Sequence, residues 1–411
     1  MKKSITPVLL GADLNCYNVA RAFHEEYGVR SYAFGRYAVS ATKYSKFICF
    51  TAVSDVDNEE VALRILSDFA KEHKEETLVL FGCTDDYATM IARLRERLPE
   101  YIIPYPDPSL QPLMASKAGF YELCDRHGIP YPKTVITDKR LTDVELSEEK
   151  LGFEYPIIVK PSSSIEYWKH PFDGMKKVYR ASDPEDAGKI INDIFSSGYA
   201  DKIILQEFIP GGDSQMRVLT CFSDRKGRVR AMCIGHTMLE EHTPKGLGNH
   251  AAIITEPVAD YPVAMKIKAL LEEMKYTGFS NFDIKVTPDG DCRVFEINLR
   301  QGRSNYYVTS SGINIGKLAA EVFRDDSEAA SIVCSDKKFF WHHVPRSVAY
   351  KYTEDRELVR TAKELDKKGL SASSLVYSRD LCMNPLRLAC VLEQLRRQKK
   401  KYKKYSAIGT V

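Results

Sequence analysis

The sequence predicts a chain of α/β and α+β parts: a small open α/β sheet over residues 1–110, a larger α+β region over 111–325 divided near 204, and a helical extension with a basic tail over 326–411. Three observations predict it. Two apolar strand patterns, TPVLLG at 6–11 and TLVLFG at 77–82, are each followed by a helical pattern, the alternation that builds an open sheet with helices on its faces. From residue 156 short strands dominate, and beyond 326 the pattern turns helical and ends in RRQKKKYKKY at 396–405.

Composition sets the outer bounds. A chain of 411 residues, 44% of them hydrophobic, has apolar surface for more than one core. Its 59 basic residues are nearly matched by 56 acidic ones, and a net charge of +3 is too small to imply a nucleic-acid partner. Ten cysteines occur singly, without a CxxC pair, which predicts reduced thiols in a cytoplasmic protein. The first apolar run, Pro7 to Leu10, is too short for a signal-peptide core, and no stretch approaches the ~20 apolar residues of a membrane span.

The turn after the first strand, GADLN, lacks GxGxxG, so no dinucleotide is predicted there. Asp13 and Asn15 nonetheless follow a strand end where such sheets meet ligands, unless one of them simply caps the helix. YPDPSLQP at 105–112 marks the first boundary. A helix over LMASKAGFYELCDRHG follows, closed by Gly128 and Pro130. Strands PIIVKP, KIILQEFIP, MRVLTCF, VRAMCIG, HAAIIT, FSNFDIKV and CRVFEINL come next, with helices over 183–197 and 261–274. The segment 235–251, GHTMLEEHTPKGLGNHA, reads as a polar connection, suited to covering a substrate site or simply to the surface. His236, His242, His250 and His342-His343 match no zinc spacing and are expected to face solvent.

Two strands joined by TPDGD hold the most informative pattern. Asp289-Gly290 signals a two-residue hairpin turn, which places Asp283 opposite Glu296, Asn281 opposite Asn298 and Phe279 opposite Arg300. Alternation then puts Phe282, Ile284, Val286, Phe295, Ile297 and Leu299 on a core face. Asp283, Lys285, Glu296, Asn298 and Arg300 share the other. Opposed carboxylates repel unless a cation lies between them. Two carboxylates and an amide oxygen suit Mg²⁺ completed by phosphate oxygens; a solvated face with Lys285 as counter-ion is the alternative.

Lys160 ends the strand PIIVKP just before Ser162 and Ser163, where an ammonium, hydroxyls and backbone N–H groups can meet phosphate. Gln206-Glu207-Phe208-Ile209 runs into a Pro-Gly-Gly break and Asp213, either a plain loop or a connector offering backbone groups to a base and an acid to ribose.

The ordered set Lys117, Lys160, Gln206 to Ile209, Asp213, Asp283, Glu296 and Asn298 resembles the ATP-grasp superfamily of carboxylate–amine ligases over roughly residues 1–325. Within it, the runs PVLLGADLNCYNVARAF, PYPKT, QEFIPGGDSQMRVL, GFSNFDIK and FEINLRQGRSNYYVT are similar to peptidoglycan D-aspartate ligases of Gram-positive bacteria. The resemblance implies an ATP-grasp fold preceded by a small Rossmann-like domain. It implies ATP and Mg²⁺, with Lys117 and Lys160 on phosphates, Glu207 to Ile209 along adenine, Asp213 on ribose, and Asp283, Glu296 and Asn298 on magnesium. It also implies that D-aspartate is joined through its β-carboxylate to the lysine ε-amine of a peptidoglycan precursor. Arg300 and Arg217 are the candidate anion or acyl-phosphate clamps, and Gln301, Gly302 and Arg303 are placed near substrate. Asn281 is a departure: D-alanine–D-alanine ligases carry an arginine there. The basic tail suits an anionic membrane surface or a solvated helix end.

Overall fold

The computed structural model describes residues 4–243, 246–323 and 331–406, and only the backbone of 164 and 165. The boundary expected near 325 falls at 324–330, outside those residues.

Strands β1 (Ile5–Leu10), β2 (Ser31–Gly35), β3 (Ile48–Ala52), β4 (Thr77–Gly82) and β5 (Tyr101–Ile102) form a parallel sheet in the order β3-β2-β1-β4-β5. The chain leaves β1 toward one edge and β4 toward the other, so a crevice opens at their carboxyl ends, where open α/β sheets receive ligands. Val8, Leu9, Leu10, Val79, Leu80 and Phe81 are fully buried, as in parallel strands covered on both faces. A Cβ at Gly82 would lie 2.3 Å from the Ala88 nitrogen, so the helix Asp85–Leu94 starts hard against the end of β4. Asp13 does cap the helix Leu14–Tyr27, accepting the Cys16 N–H at 3.1 Å.

Strands β6 (Thr134–Thr137), β7 (Ile157–Pro161), β8 (Tyr179–Ala181) and β9 (Ile203–Glu207) make an antiparallel sheet in the order β6-β9-β7-β8. The helix Pro184–Ser196 covers it through Ile191 and Ile194.

The third sheet runs β14-β13-β10-β11-β12-β16-β17, with β15 beside β11. Its strands are β10 (Met216–Ser223), β11 (Val229–Glu240), β12 (His250–Glu256), β13 (Gly278–Val286), β14 (Cys292–Asn298), β15 (Val333–Cys334), β16 (Phe340–His342) and β17 (Ser371–Ser373). Alternation along β10 sends Val218 and Phe222 toward the helix Leu14–Tyr27, and Leu219 and Cys221 toward the helices Lys117–His127 and Val263–Glu273. Residues beyond 331 thus give the central sheet three short strands as well as helices, a contribution that two- and three-residue strands leave no periodicity to announce.

The closing helix, Pro385–Tyr405, is fastened by a wholly buried ion pair, Arg387 to Asp380 at 2.8 Å. Asp380 also accepts hydrogen bonds from the Tyr17 hydroxyl, the Ser45 hydroxyl and the Lys46 N–H. Arg387 reaches the Ser40 and Lys43 carbonyls. Near its far end Tyr402 donates to the Glu240 carbonyl at 2.5 Å. Among the described residues, no helix is long and apolar enough to cross a membrane.

Removing one partner of a buried pair leaves an uncompensated charge. Arg387→Ala is expected to cost about 3–5 kcal/mol, read as a lower guanidinium denaturation midpoint, and Asp380→Asn in the same background should recover part of the loss.

Candidate functional site

The hairpin β13–β14 meets the expected register at its polar end: Asp283 faces Glu296 and Asn281 faces Asn298. Its turn is different. Thr287 and Asp291 close the loop, Thr287 N–H donating to Asp291 O at 2.7 Å, which leaves Pro288, Asp289 and Gly290 as a three-residue turn. The ladder then slips, with Ile284 opposite Val294. The longer loop and the one-residue bulge cancel, so the carboxylates still meet. Phe295 is turned off the core face by the bulge: Val294 is fully buried in its place, and Phe295 lines a cavity.

That cavity, of about 480 Å³, is also lined by Asn281, Asp283, Glu296 and Asn298, by Lys117, Lys160 and Ser162, and by Arg300, Gly302 and Arg303. Lys117 arrives there because the predicted helix over LMASKAG breaks at Ser116, whose hydroxyl accepts the Gly119 N–H at 3.1 Å and makes Lys117 the first helical residue. Its ammonium pairs with Glu296 at 2.7 Å and holds that carboxyl down to about 2. Lys285, the alternative counter-ion, instead lies over the Phe208 ring.

Lys160 donates to the Gln206 amide oxygen at 2.9 Å. Gln206 is fully buried, and its NH₂ reaches the Tyr121 and Thr134 hydroxyls. Burial, with the Lys117 charge nearby, pushes the Lys160 ammonium down to about 7.

The remaining predicted residues do not line this cavity. Ser163 accepts the Glu166 N–H. Glu207 and Phe208 border a separate cavity of about 800 Å³, and Arg180 and Lys285 both lie over the Phe208 ring. Ile209 is buried. Asp213 accepts the Glu240 N–H at 2.8 Å and lies 3.3 Å from His242. Arg217 donates to Tyr261 at 2.6 Å and to the Ser214 and Met216 carbonyls, with Glu256 3.4 Å away; its guanidinium is committed there.

Gln301 and Asn15 belong to a buried network: Gln301 donates to Gly82 O at 3.0 Å, Tyr105 donates to Gln301, and Asn305 donates to Asn15 at 2.7 Å. Gly302 is required by its neighbour, since a Cβ there would lie 2.7 Å from the Asn281 oxygen, which accepts from Thr220. Arg303 pairs with Glu241 at 2.8 Å, with His343 3.3 Å from the same carboxylate. Burial alone would raise the Glu241 carboxyl, but His343 and Arg303 hold it near 2.

The histidines are not solvent-facing. His236, His250, His342 and His343 are buried, and three of them bind neighbours: His236 binds Glu256 and Ser214 O, His250 binds Thr237, and His342 binds Val344 O. Of 235–251, residues up to Glu240 continue β11 and His250 begins β12. Leu247, Gly248 and Asn249 do border the cavity; residues 244 and 245 lie outside those described. The residue-level reading missed Asp85 and Lys177, and reached Glu240 and His250 only through the segment 235–251. Asp85 obeys the strand-end rule that singled out Asp13, whereas Glu240 and His250 carry no local signal.

No family model matches the chain. A D-aspartate ligase from Enterococcus faecium (strain Aus0004) is 37% identical over 383 residues, covering 91% of this chain and 90% of that protein. The chain belongs to the D-aspartate ligase family. Its fold is ATP-grasp: the L-amino acid ligase of Bacillus licheniformis superposes with a TM-score of 0.54 at 15% identity, over 78% of this chain and 74% of that one. The biotin carboxylase domain of Hydrogenobacter thermophilus 2-oxoglutarate carboxylase, in complex with MgADP, gives 0.60 at 15%, over 82% and 74%. The chain is thus a carboxylate–amine ligase of that family with the ATP-grasp fold.

Lys160 is charged below its value of about 7 and neutral above it. With Lys160 on an ATP phosphate, as the resemblance implies, the kcat/KM of the ligase for ATP should fall as pH rises between about 6 and 9, and Lys160→Arg should flatten that limb because a guanidinium stays protonated.

Proposed function

We propose that this ligase joins D-aspartate, through its β-carboxylate, to the ε-amine of lysine in a peptidoglycan stem peptide. One observation carries the chemistry: Lys117, Lys160, Asp283, Glu296, Asn298 and Arg300 share one cavity. Kinship to a protein named D-aspartate ligase, over nine-tenths of both chains, supports the substrate.

A carboxylate is a poor acyl donor because its oxygen does not leave. A carboxylate oxygen attacks the γ-phosphorus, ADP departs, the amine nitrogen attacks the acyl carbon, and phosphate leaves as the amide forms. Lys117 and Lys160 take the phosphates, and Lys160 is steered by Gln206. Asp283, Glu296 and Asn298 present hard oxygen donors on the cavity wall and would hold magnesium, which would supply shielding of phosphate charge there. Arg300 lines the same cavity on the amino-acid side. Gln206 to Ile209 and Asp213 border the nucleotide rather than the reacting atoms.

Release of ADP with a panel of D- and L-amino acids, with and without UDP-linked pentapeptide, tests this reading. D-aspartate with the pentapeptide should be preferred, and release with L-amino acids only would overturn it. Glu296→Gln should lower kcat by at least about 100-fold, with a raised Mg²⁺ requirement.

The proposal extends to where the ligase works, next to an anionic membrane surface on the cytoplasmic side. On the helix Pro385–Tyr405, exposed Leu388 and Leu392 continue into exposed Arg396, Lys399, Lys400 and Lys403, an apolar and cationic face. Vesicles rich in phosphatidylglycerol should bind the ligase in a salt-sensitive way, and K399E/K400E/K403E should abolish binding; equal binding to neutral vesicles would refute the contact.

A further inference from the structure

The crevice at the carboxyl ends of β1 and β4 brings one carboxylate to the cavity that the ligase chemistry leaves unassigned. Asp85 opens the helix Asp85–Leu94 after the Thr84 cap and lines the same cavity as Arg300. The two side chains meet side by side: Arg300 Nε lies 2.8 Å from Asp85 Oδ1, and Nη2 donates to Oδ2 at 2.8 Å. The members of the pair differ in setting, since the Asp85 side chain is 65% exposed and that of Arg300 only 14%.

Two details argue that Asp85 does more than hold Arg300. The arginine is anchored without it, because Nη1 donates to the Gln301 carbonyl at 2.9 Å and Gln301 is itself fixed in the buried network. The Nε contact with Asp85, at 2.8 Å, lies off the direction of a hydrogen bond, so on that side the pair is held by charge rather than by a closed two-bond fork. Asp13, the other carboxylate at this crevice, already accepts the Cys16 N–H.

We propose that Asp85 and Arg300 together receive the zwitterionic end of the amino-acid substrate, Asp85 taking its ammonium and Arg300 a carboxylate. Inserting the zwitterion exchanges one internal ion pair for two intermolecular ones, so neither side chain loses a counter-charge, and each is already placed by its own element. Such a pair selects an amino acid over a plain dicarboxylic acid, because an acid without the ammonium leaves Asp85 facing anionic charge alone. Asp85 is then a specificity residue for the reaction.

The inference rests on the D-aspartate reading, and the experiment separates the two. In the wild-type ligase, the KM of D-aspartate is compared with the Ki of succinate, the same diacid without the ammonium. Asp85→Asn should raise the KM of D-aspartate about 10–100-fold, leave the KM of ATP within about twofold, and leave or lower the Ki of succinate; Asp85→Glu should restore part of the preference. Equal weakening of D-aspartate and succinate would make Asp85 only a fastener for Arg300 and overturn the proposal, as would an unchanged KM for D-aspartate. If the wild-type ligase releases no ADP with D-aspartate, the substrate reading fails by itself. The same ratio is then measured for the amino acid that the panel identifies against its deamino analogue, with the same two outcomes.

Discussion

Two carboxylates facing each other across a β-ladder are a liability that the rest of this site answers. Asp283 and Glu296 are held opposite one another by backbone hydrogen bonds, so they cannot separate to relieve repulsion. Lys117 answers for Glu296 at 2.7 Å, and His250 lies 3.8 Å from Asp283. Glu240 adds a third acid beside His250 at 3.9 Å, and burial pushes its carboxyl up from the ordinary range. The wall is therefore rich in hard oxygen donors faced by the Lys117 ammonium and the His250 imidazole, a setting that rewards a divalent ion and phosphate together.

A site of this kind works only if its two halves keep their distance. Asp283, Glu296 and Asn298 lie on the mixed sheet that carries β10 to β17, whereas the crevice with Asp85 belongs to the parallel one. The joint between them is a buried polar network: Gln301, Asn15, Asn305 and Tyr105 are almost entirely buried and bind one another or Gly82. Buried amides are costly unless paired and geometrically demanding when paired. The stretch just after β14 thus points Arg300 into the cavity while Gln301 locks it to β4. Gly302 follows because Asn281 leaves no room for a side chain.

Much of this was legible in the sequence because strands write their faces with period two. Every strand read between 156 and 299 is present, and the polar pairing of the hairpin is as expected. What failed did so for local geometric reasons. A three-residue turn and a bulge hid each other, so the register was right at Asp283 while Phe295 was put on the wrong face. Arg217 alternates correctly along β10, but alternation is silent about what an arginine meets at its tip, here Tyr261 and the Ser214 carbonyl. The histidines misled because polarity was taken for exposure, whereas strands β11, β12 and β16 are covered on both faces and pair their imidazoles internally.

The same contrast separates what the nucleotide end needs from what the acyl end needs. Phosphate recognition tolerates point charges at strand and helix ends, and the candidates proposed for it announce themselves: Lys160 is the one charge in PIIVKP, and Lys117 follows a capping serine. Recognition of a small zwitterion needs opposite charges a few ångströms apart, and Asp85 and Arg300 are 215 residues apart in the chain. No spacing rule can link them. They meet because the order β3-β2-β1-β4-β5 opens its crevice beside β4, and because Gln301 fastens the end of β14 to that same strand. On the proposed assignments, specificity depends on how the two sheets are joined, while nucleotide chemistry depends on residues that single strands and helix ends present by themselves.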